Sequence, residues 1–328
     1  MHLRRFFARR ALRIQAGILA TSTWTERAIP NNRYWRSVCW SPELGIFVAV
    51  NYSSSACVMT SPDGINWTER TSGVVSRSWF SICWSAELGI FVAVNNSSSA
   101  CVMTSPDGIT WTERTSGVVN RAWISVCWSP ELGIFVAVNY SSSACVMTSP
   151  DGTNWTERTS GVVNRAWISV CWSPELGIFV AVNNSSSACV MTSPDGITWT
   201  ERTSGVVSRS WFSICWSPEL GIFVAVNNSS SACVMTSPDG ITWTERTSGV
   251  VNRTWYSICW SAELGIFVAV NNSSSACVMT SPDGINWTER TSGVVQRNWL
   301  SVCWSPELGI FVAVNYGSSA CVMVSRMA

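Results

Sequence analysis

The pair Cys-Trp recurs at Cys39, Cys83, Cys127, Cys171, Cys215, Cys259 and Cys303, always 44 residues apart, and the residues around it recur with it. Seven copies of one unit therefore fill the chain of 328 residues after its first 20. A unit that short cannot bury an apolar face by itself, so the copies must stack on one another. With 47% apolar and only 12% charged residues, a large core can be buried while the surface relies on Ser, Thr and Asn. That balance excludes a disordered body. No stretch approaches the ~18 uncharged apolar residues of a membrane-spanning helix, so no membrane span is expected.

Within one repeat the pattern is strand and turn throughout. Trp35 to Ser41 reads as a first strand, A, ended by Pro42-Glu43-Leu44-Gly45, where proline presets the turn and glycine supplies its left-handed residue. Gly45 to Asn51 is β-branched and apolar on both faces, as suits a strand B buried between neighbouring sheets. After the Ser-rich loop Tyr52 to Ser55, strand C (Ala56 to Ser61) turns at Pro62-Asp63-Gly64 into strand D (Asn66 to Thr71). Residues 21 to 27 match strand D alone, whereas residues 299 to 325 supply only strands A to C. The predicted fold is therefore all-β: a closed seven-bladed β-propeller with four antiparallel strands per blade. The N-terminal strand (Thr21 to Arg27) completes the last blade beside Ala320 to Val324, which removes the open sheet edges. Residues 21–328 form one such domain, and a monomeric ring is expected. Residues 1–20 are a basic arm outside the repeats, expected to be disordered.

The segment Ser61-Pro62-Asp63-Gly64-Ile65-Asn66-Trp67, with its copies around Asp107, Asp151, Asp195, Asp239 and Asp283, resembles the Asp-box (BNR) motif of sialidase-like propellers. Here Asp and Gly are adjacent, one residue closer than the Ser/Thr-x-Asp-x-Gly-x-Thr-Trp pattern. The resemblance implies a folding role: the aspartate accepts backbone hydrogen bonds in the C–D turn, and the tryptophan packs between blades. It does not imply hydrolysis, because near-identical blades do not gather the asymmetric arginine, tyrosine and acid set that a sialidase requires.

All 21 basic residues are arginine, and Arg4, Arg5, Arg9, Arg10 and Arg13 sit in the N-terminal arm. The 16 that remain face 20 acids, a mildly acidic body that argues against nucleic acid as a partner. His2 is the sole histidine, so imidazole-based metal sites and His-dependent acid–base catalysis are not expected in the repeats. No cofactor, metal site or catalytic residue is assigned. The 14 cysteines fall in two series, in phase with Cys39 and Cys57. On first and third strands of a sheet they lie about 9.5 Å apart, too far for a bridge. Free thiols are expected, which favours a reducing, cytoplasmic setting, with export through the basic arm kept as an alternative.

Alternating strands place the A–B and C–D turns on one rim and the D–A entries and B–C loops on the other. Differences between repeats collect on the second rim, at residues in phase with Tyr34, Arg36 and Tyr52. That rim also carries a repeated arginine, Arg33, Arg77, Arg121, Arg165, Arg209, Arg253 and Arg297, next to Trp35, Trp79, Asn51 and Asn95. These form the candidate ligand-binding ring, since arginine and asparagine can grip anionic or hydroxylated groups and tryptophan can stack on a sugar. The acids in phase with Glu43, Asp63 and Glu69 read as turn or solvated surface residues, and Trp40 and Trp67 as core. The function expected is a non-catalytic, multivalent binding module for a carbohydrate or protein ligand. A structural or assembly protein, such as a phage or viral particle component, is the alternative, and a sialidase-like glycoside hydrolase comes third.

Overall fold

The computed structural model describes residue 21 and residues 23–325, apart from 31–32, 54–56, 75–76, 97–100, 119–120, 141–144, 163–164, 186–188, 207–208, 229–232, 251–252, 273–276, 292–296 and 318–320. The N-terminal arm and the tips of the Ser-rich loops lie outside the described residues.

The first complete blade consists of β2 (Trp35–Ser41), β3 (Ile46–Asn51), β4 (Cys57–Ser61) and β5 (Thr68–Thr71), hydrogen-bonded in that order. Five further sheets, from β6 (Trp79–Ser85) to β25 (Thr288–Thr291), repeat the arrangement. The seventh is composite: β26 (Trp299–Ser305), β27 (Ile310–Asn315) and β28 (Cys321–Ser325) are completed by β1 (Trp24–Ala28), with Trp24 opposite Ser325 and Ala28 opposite Cys321. All neighbouring strands are antiparallel, and among the described residues there is no helix. The chain is thus a seven-bladed propeller closed by its own N-terminal strand.

Strand β3 explains the stacking. Phe47, Val48, Ala49 and Val50 are wholly buried, which a strand achieves only with another sheet against each face. Phe47 and Ala49 join Trp35, Met59 and Trp67 in packing against Val312, Val314 and Val322 of the seventh blade. Val48 and Val50, on the other face, pack against Trp79, Phe91 and Met103 of the second. Each Val, Phe or Met side chain among these is worth about 1.5–3 kcal/mol of burial, and the same contact recurs around the ring.

Turns fix the blade spacing. Gly64 has φ 70°, and a Cβ there would lie 2.8 Å from Val312 Cγ2 and 2.9 Å from Ile310 Cδ1. The C–D turn therefore sits hard against the preceding blade, and only glycine fits both the angle and the space. Asp63 Oδ1 accepts the backbone N–H groups of Ile65 and Asn66 at 2.8 Å each. The indole of Trp67 donates to Gly64 O at 2.9 Å.

Two further bonds tie each blade to the next. The Trp84 indole donates to Glu43 Oε2 at 2.7 Å. Nearer the axis, Ile82 N donates to Ser37 Oγ at 3.4 Å. Both bonds recur across the closing junction, as Trp40 to Glu307 and Val38 N to Ser301 Oγ. The acids in phase with Glu43, expected as solvated turn residues, are thus joints between blades. None of the nine cysteines whose side chains are described is in a disulfide. Burial pushes the thiol of Cys39 up to about 12 and that of Cys83 well above the ordinary value.

Candidate ligand face and channel mouth

The innermost strand of every blade carries a register shift, in the first blade between Trp35 and Ser37. Residue 36 is the extra residue of a β-bulge, a device that re-aims side chains. Strict alternation would place residues 36 and 37 on opposite faces of the sheet. With the bulge, both line the central channel, as do Phe80 with Ser81 and their copies. Trp35 is turned the other way, into the blade, and is 1% exposed.

Hydrogen bonds join the start of each B–C loop to the D–A entry beside it, as in Tyr52 N to Tyr34 O at 2.7 Å. The two loop classes thus share one rim, as the strand directions require. All five tyrosines of the chain, Tyr34, Tyr52, Tyr140, Tyr256 and Tyr316, lie on this face. Tyr34 stacks on Tyr316 with ring centroids 4.6 Å apart, and Tyr52 meets Phe80 edge-on at 5.6 Å. Between them opens a cavity of about 270 Å³ at the channel mouth, walled by Tyr52, Phe80, Asn96, Tyr256, Asn272, Leu300 and Tyr316, with Arg36 at its base. Below it the channel narrows to a chamber of about 100 Å³ lined by Arg36 and the serines in phase with Ser37.

Arg36 breaks the sevenfold pattern. Its equivalents are Phe80, Ile124, Ile168, Phe212, Tyr256 and Leu300. Its guanidinium carbon lies 3.9 Å from the centroid of the Phe80 ring and 5.2 Å from that of Tyr256, cation–π contacts that partly replace lost hydration. Desolvation pulls its pKa from 12.5 down to about 10, which leaves it cationic at neutral pH. The position was recognised in the sequence only as variable. The available signal was a lone charge at a site that is apolar or aromatic in six other repeats.

The arginine ring is placed on this rim, and each member is held by an acid. Arg33 meets Glu69 at 3.2 Å, Arg77 meets Glu113 at 2.8 Å, and Arg297 meets Glu26 of the closing strand at 2.8 Å. The acids in phase with Glu69 are therefore partners of the ring, bridged over the end of the same blade. Cys189 donates its thiol to Glu201 at 3.0 Å beneath Arg165; this bond and the nearby guanidinium lower the Glu201 pKa. Trp79, like Trp35, is buried and offers no ring face to a ligand. Asn51 and Asn95 are buried at the strand ends, where Asn51 Oδ1 accepts Ser53 N at 2.9 Å and shapes the loop.

The opposite rim is not bare. Leu44, Leu88 and Leu132 of the A–B turns and Ile109, Ile197 and Ile241 of the C–D turns are exposed there. Among the described residues no group of three or more His, Cys, Asp or Glu is placed to hold a metal ion. Among those residues no helix is long and apolar enough to cross a membrane either.

No protein-family model matches the chain, and no curated protein resembles it in sequence. Solved structures resemble it in fold. YCF48 bound to a D1 peptide superposes with a TM-score of 0.70 at 14% identity, covering 93% of this chain and 95% of that one. Virginiamycin B lyase from Staphylococcus aureus, an enzyme, does so with a TM-score of 0.79 at 10% identity, covering 93% and 99%. The computationally designed Ika8 protein gives 0.61 at 10% identity, covering 93% and 99%. At such identities the likeness is one of propeller architecture.

Proposed function

We propose that the chain is a non-catalytic binding propeller that takes a protein ligand, as an exposed peptide segment, on the rim formed by its D–A entries and B–C loops. The observation that carries this reading is where the repeats differ. The C–D turns and buried strands are close copies, whereas the residues in phase with Tyr34, Arg36 and Tyr52 vary and bring every tyrosine of the chain to one rim, three of them into the mouth. Tyrosine and arginine are the side chains that interfaces favour, because they combine apolar area with directed hydrogen bonds. The structure of YCF48 with a D1 peptide supports a peptide ligand for a propeller of this shape. A protein ligand is favoured over a glycan because Trp35 and Trp79, the tryptophans of this rim, are buried. The arginines in phase with Arg33 form the outer part of the proposed surface, where their Glu partners leave polar edges in several similar copies. The Asp63-type turns keep the folding role that the Asp-box resemblance implies.

Panning a random peptide library on the folded protein tests the reading. Enriched peptides should lose at least tenfold in affinity for the double variant Tyr52→Ala/Tyr316→Ala and keep it for Leu44→Ala/Leu88→Ala on the opposite rim. Binding that follows the leucines would place the ligand surface on the wrong face. Glycan-array binding without any peptide enrichment would favour the carbohydrate reading instead.

A further inference from the structure

Arg36 poses a question that the scaffold does not answer. Arg36 is half-buried, and a partly desolvated cation is costly unless it is paired. The seven arginines of the outer ring each have a glutamate, yet among the described residues no carboxylate lies within ion-pair range of Arg36. Its surroundings are Phe80, Tyr52 and Tyr256. Phe80 covers one side of the guanidinium. Among the described residues none accepts a hydrogen bond from its N–H fork, which borders both the mouth and the lower chamber.

The chamber supplies a second set of donors. Ser37, Ser81, Ser125, Ser169, Ser213, Ser257 and Ser301 line it, and each Oγ accepts a backbone N–H from the next blade at 3.2 to 3.4 Å. A hydroxyl that accepts in this way keeps its own hydrogen to donate. The channel thus holds a ring of hydroxyl donors around one cation, a setting arranged for a negative group.

We propose that the channel mouth captures a carboxylate, with Arg36 as its counter-ion, the serine hydroxyls as supporting donors, and the carbon skeleton behind it lying against Tyr52, Tyr256 and Leu300. One cation among neutral donors balances a monoanion and leaves a phosphate dianion undercompensated. The walls combine aromatic rings and Leu300 with Asn96 and Asn272, so they call for an apolar side chain with an amide beside it, next to the charge. A mouth of about 270 Å³ falls just below the roughly 300–1,000 Å³ of pockets for drug-sized ligands, so it accommodates one or two residues. The C-terminal residue of a peptide meets all three conditions. This deepens the reading of the rim as a peptide-binding face and rests on it.

Short peptides ending in Phe, Leu or Val, each prepared as free acid and as C-terminal amide, test the proposal by calorimetry, with phenylacetate as a free small acid. The comparison variant is Arg36→Ile, which installs the residue that the third and fourth blades carry at this position (Ile124, Ile168). Free acids should bind wild-type protein at least tenfold more tightly than amides, and Arg36→Ile should remove the difference. Phenylacetate binding that depends on Arg36 while no peptide binds would uphold the carboxylate site and assign it to a small acid, and the peptide reading of the face would then fall alone. Acids and amides that bind equally, with Tyr52→Ala/Tyr316→Ala still weakening both, would overturn the carboxylate site and leave the face standing. Indifference of every probe to Arg36→Ile, in protein that melts no lower than wild type, overturns it outright.

Discussion

Trp40 donates its indole N–H to Glu307 Oε2 at 2.7 Å, although 267 residues separate the two in sequence. The bond is a copy of Trp84 to Glu43 and of Trp128 to Glu87, each 2.7 Å long. The junction that closes the ring is therefore built like the junctions within it. Glu307→Ala should cost about 1 kcal/mol, the usual worth of such a bond, and Glu87→Ala should cost the same. Urea unfolding of the two variants checks this. A much larger loss at Glu307 would show that the closing junction carries more than an equal share.

The C–D turns make stability depend on acid. Partial burial raises the Asp63 pKa, but hydrogen bonds from Asn66 and Ile65 N–H and from the Asn66 and Ser61 side chains outweigh it and hold the carboxyl below its ordinary value. Asp107, Asp151, Asp195, Asp239 and Asp283 behave alike. A lowered folded pKa gives stability that is present above the unfolded value of about 3.9 and is lost as pH falls through the folded one. Melting temperature should thus hold down to about pH 4 and drop steeply below it. Asp63→Asn should flatten part of that drop, and an unchanged acid limb would refute the assignment.

Strand β1 is the clasp of the last blade. Removing residues 1–28 should expose the edge of β28 and give oligomers or aggregates, whereas removing only residues 1–20 should leave a monodisperse ring. Light scattering of the two truncations distinguishes them. Equal behaviour would mean that β1 contributes nothing to closure.

Burial governs the thiols. With the Cys39 and Cys127 pKa values pushed up to about 12, the native protein should react only slowly with a disulfide reagent at pH 8. In denaturant, without reductant, it should titrate close to the 14 cysteines of the sequence. A titre near zero would reveal disulfides and displace the strand assignment.

Arg36 is a charge kept at a cost. Without ligand, Arg36→Ile should be more stable than wild type by about 1 kcal/mol, because relief of desolvation exceeds the lost cation–π contact. A clear destabilisation in the chemical-denaturation curve would mean that the guanidinium is a structural pin.

Repeats, strands and closure were legible because each rests on local pattern. Trp35–Ser41 emerges with the predicted bounds, and strand D starts at Thr68 rather than Asn66 only because Asp63 holds Asn66 N in the turn. The clasp runs from Trp24 to Ala28 rather than from Thr21 to Arg27, since Thr21 O is taken by the Trp24 indole. The site was less legible. Arg33 and Glu69 are 36 residues apart, and their meeting depends on strand D lying in the same blade as the arginine's own entry. The bulge that directs residue 36 into the channel leaves no mark in the apolar pattern, because six of the seven residues there are themselves hydrophobic.

The serine bonds around the axis have a consequence for how such a chain can change. Ser37 receives the next blade in the same way that Ser301 receives the first, so the scaffold does not distinguish one blade from another. Shuffling the order of the inner repeats would leave every joint satisfied while setting a different sequence of side chains around the mouth. In this architecture, recombination between copies can write new combinations at the ligand face without a penalty to the ring that displays them.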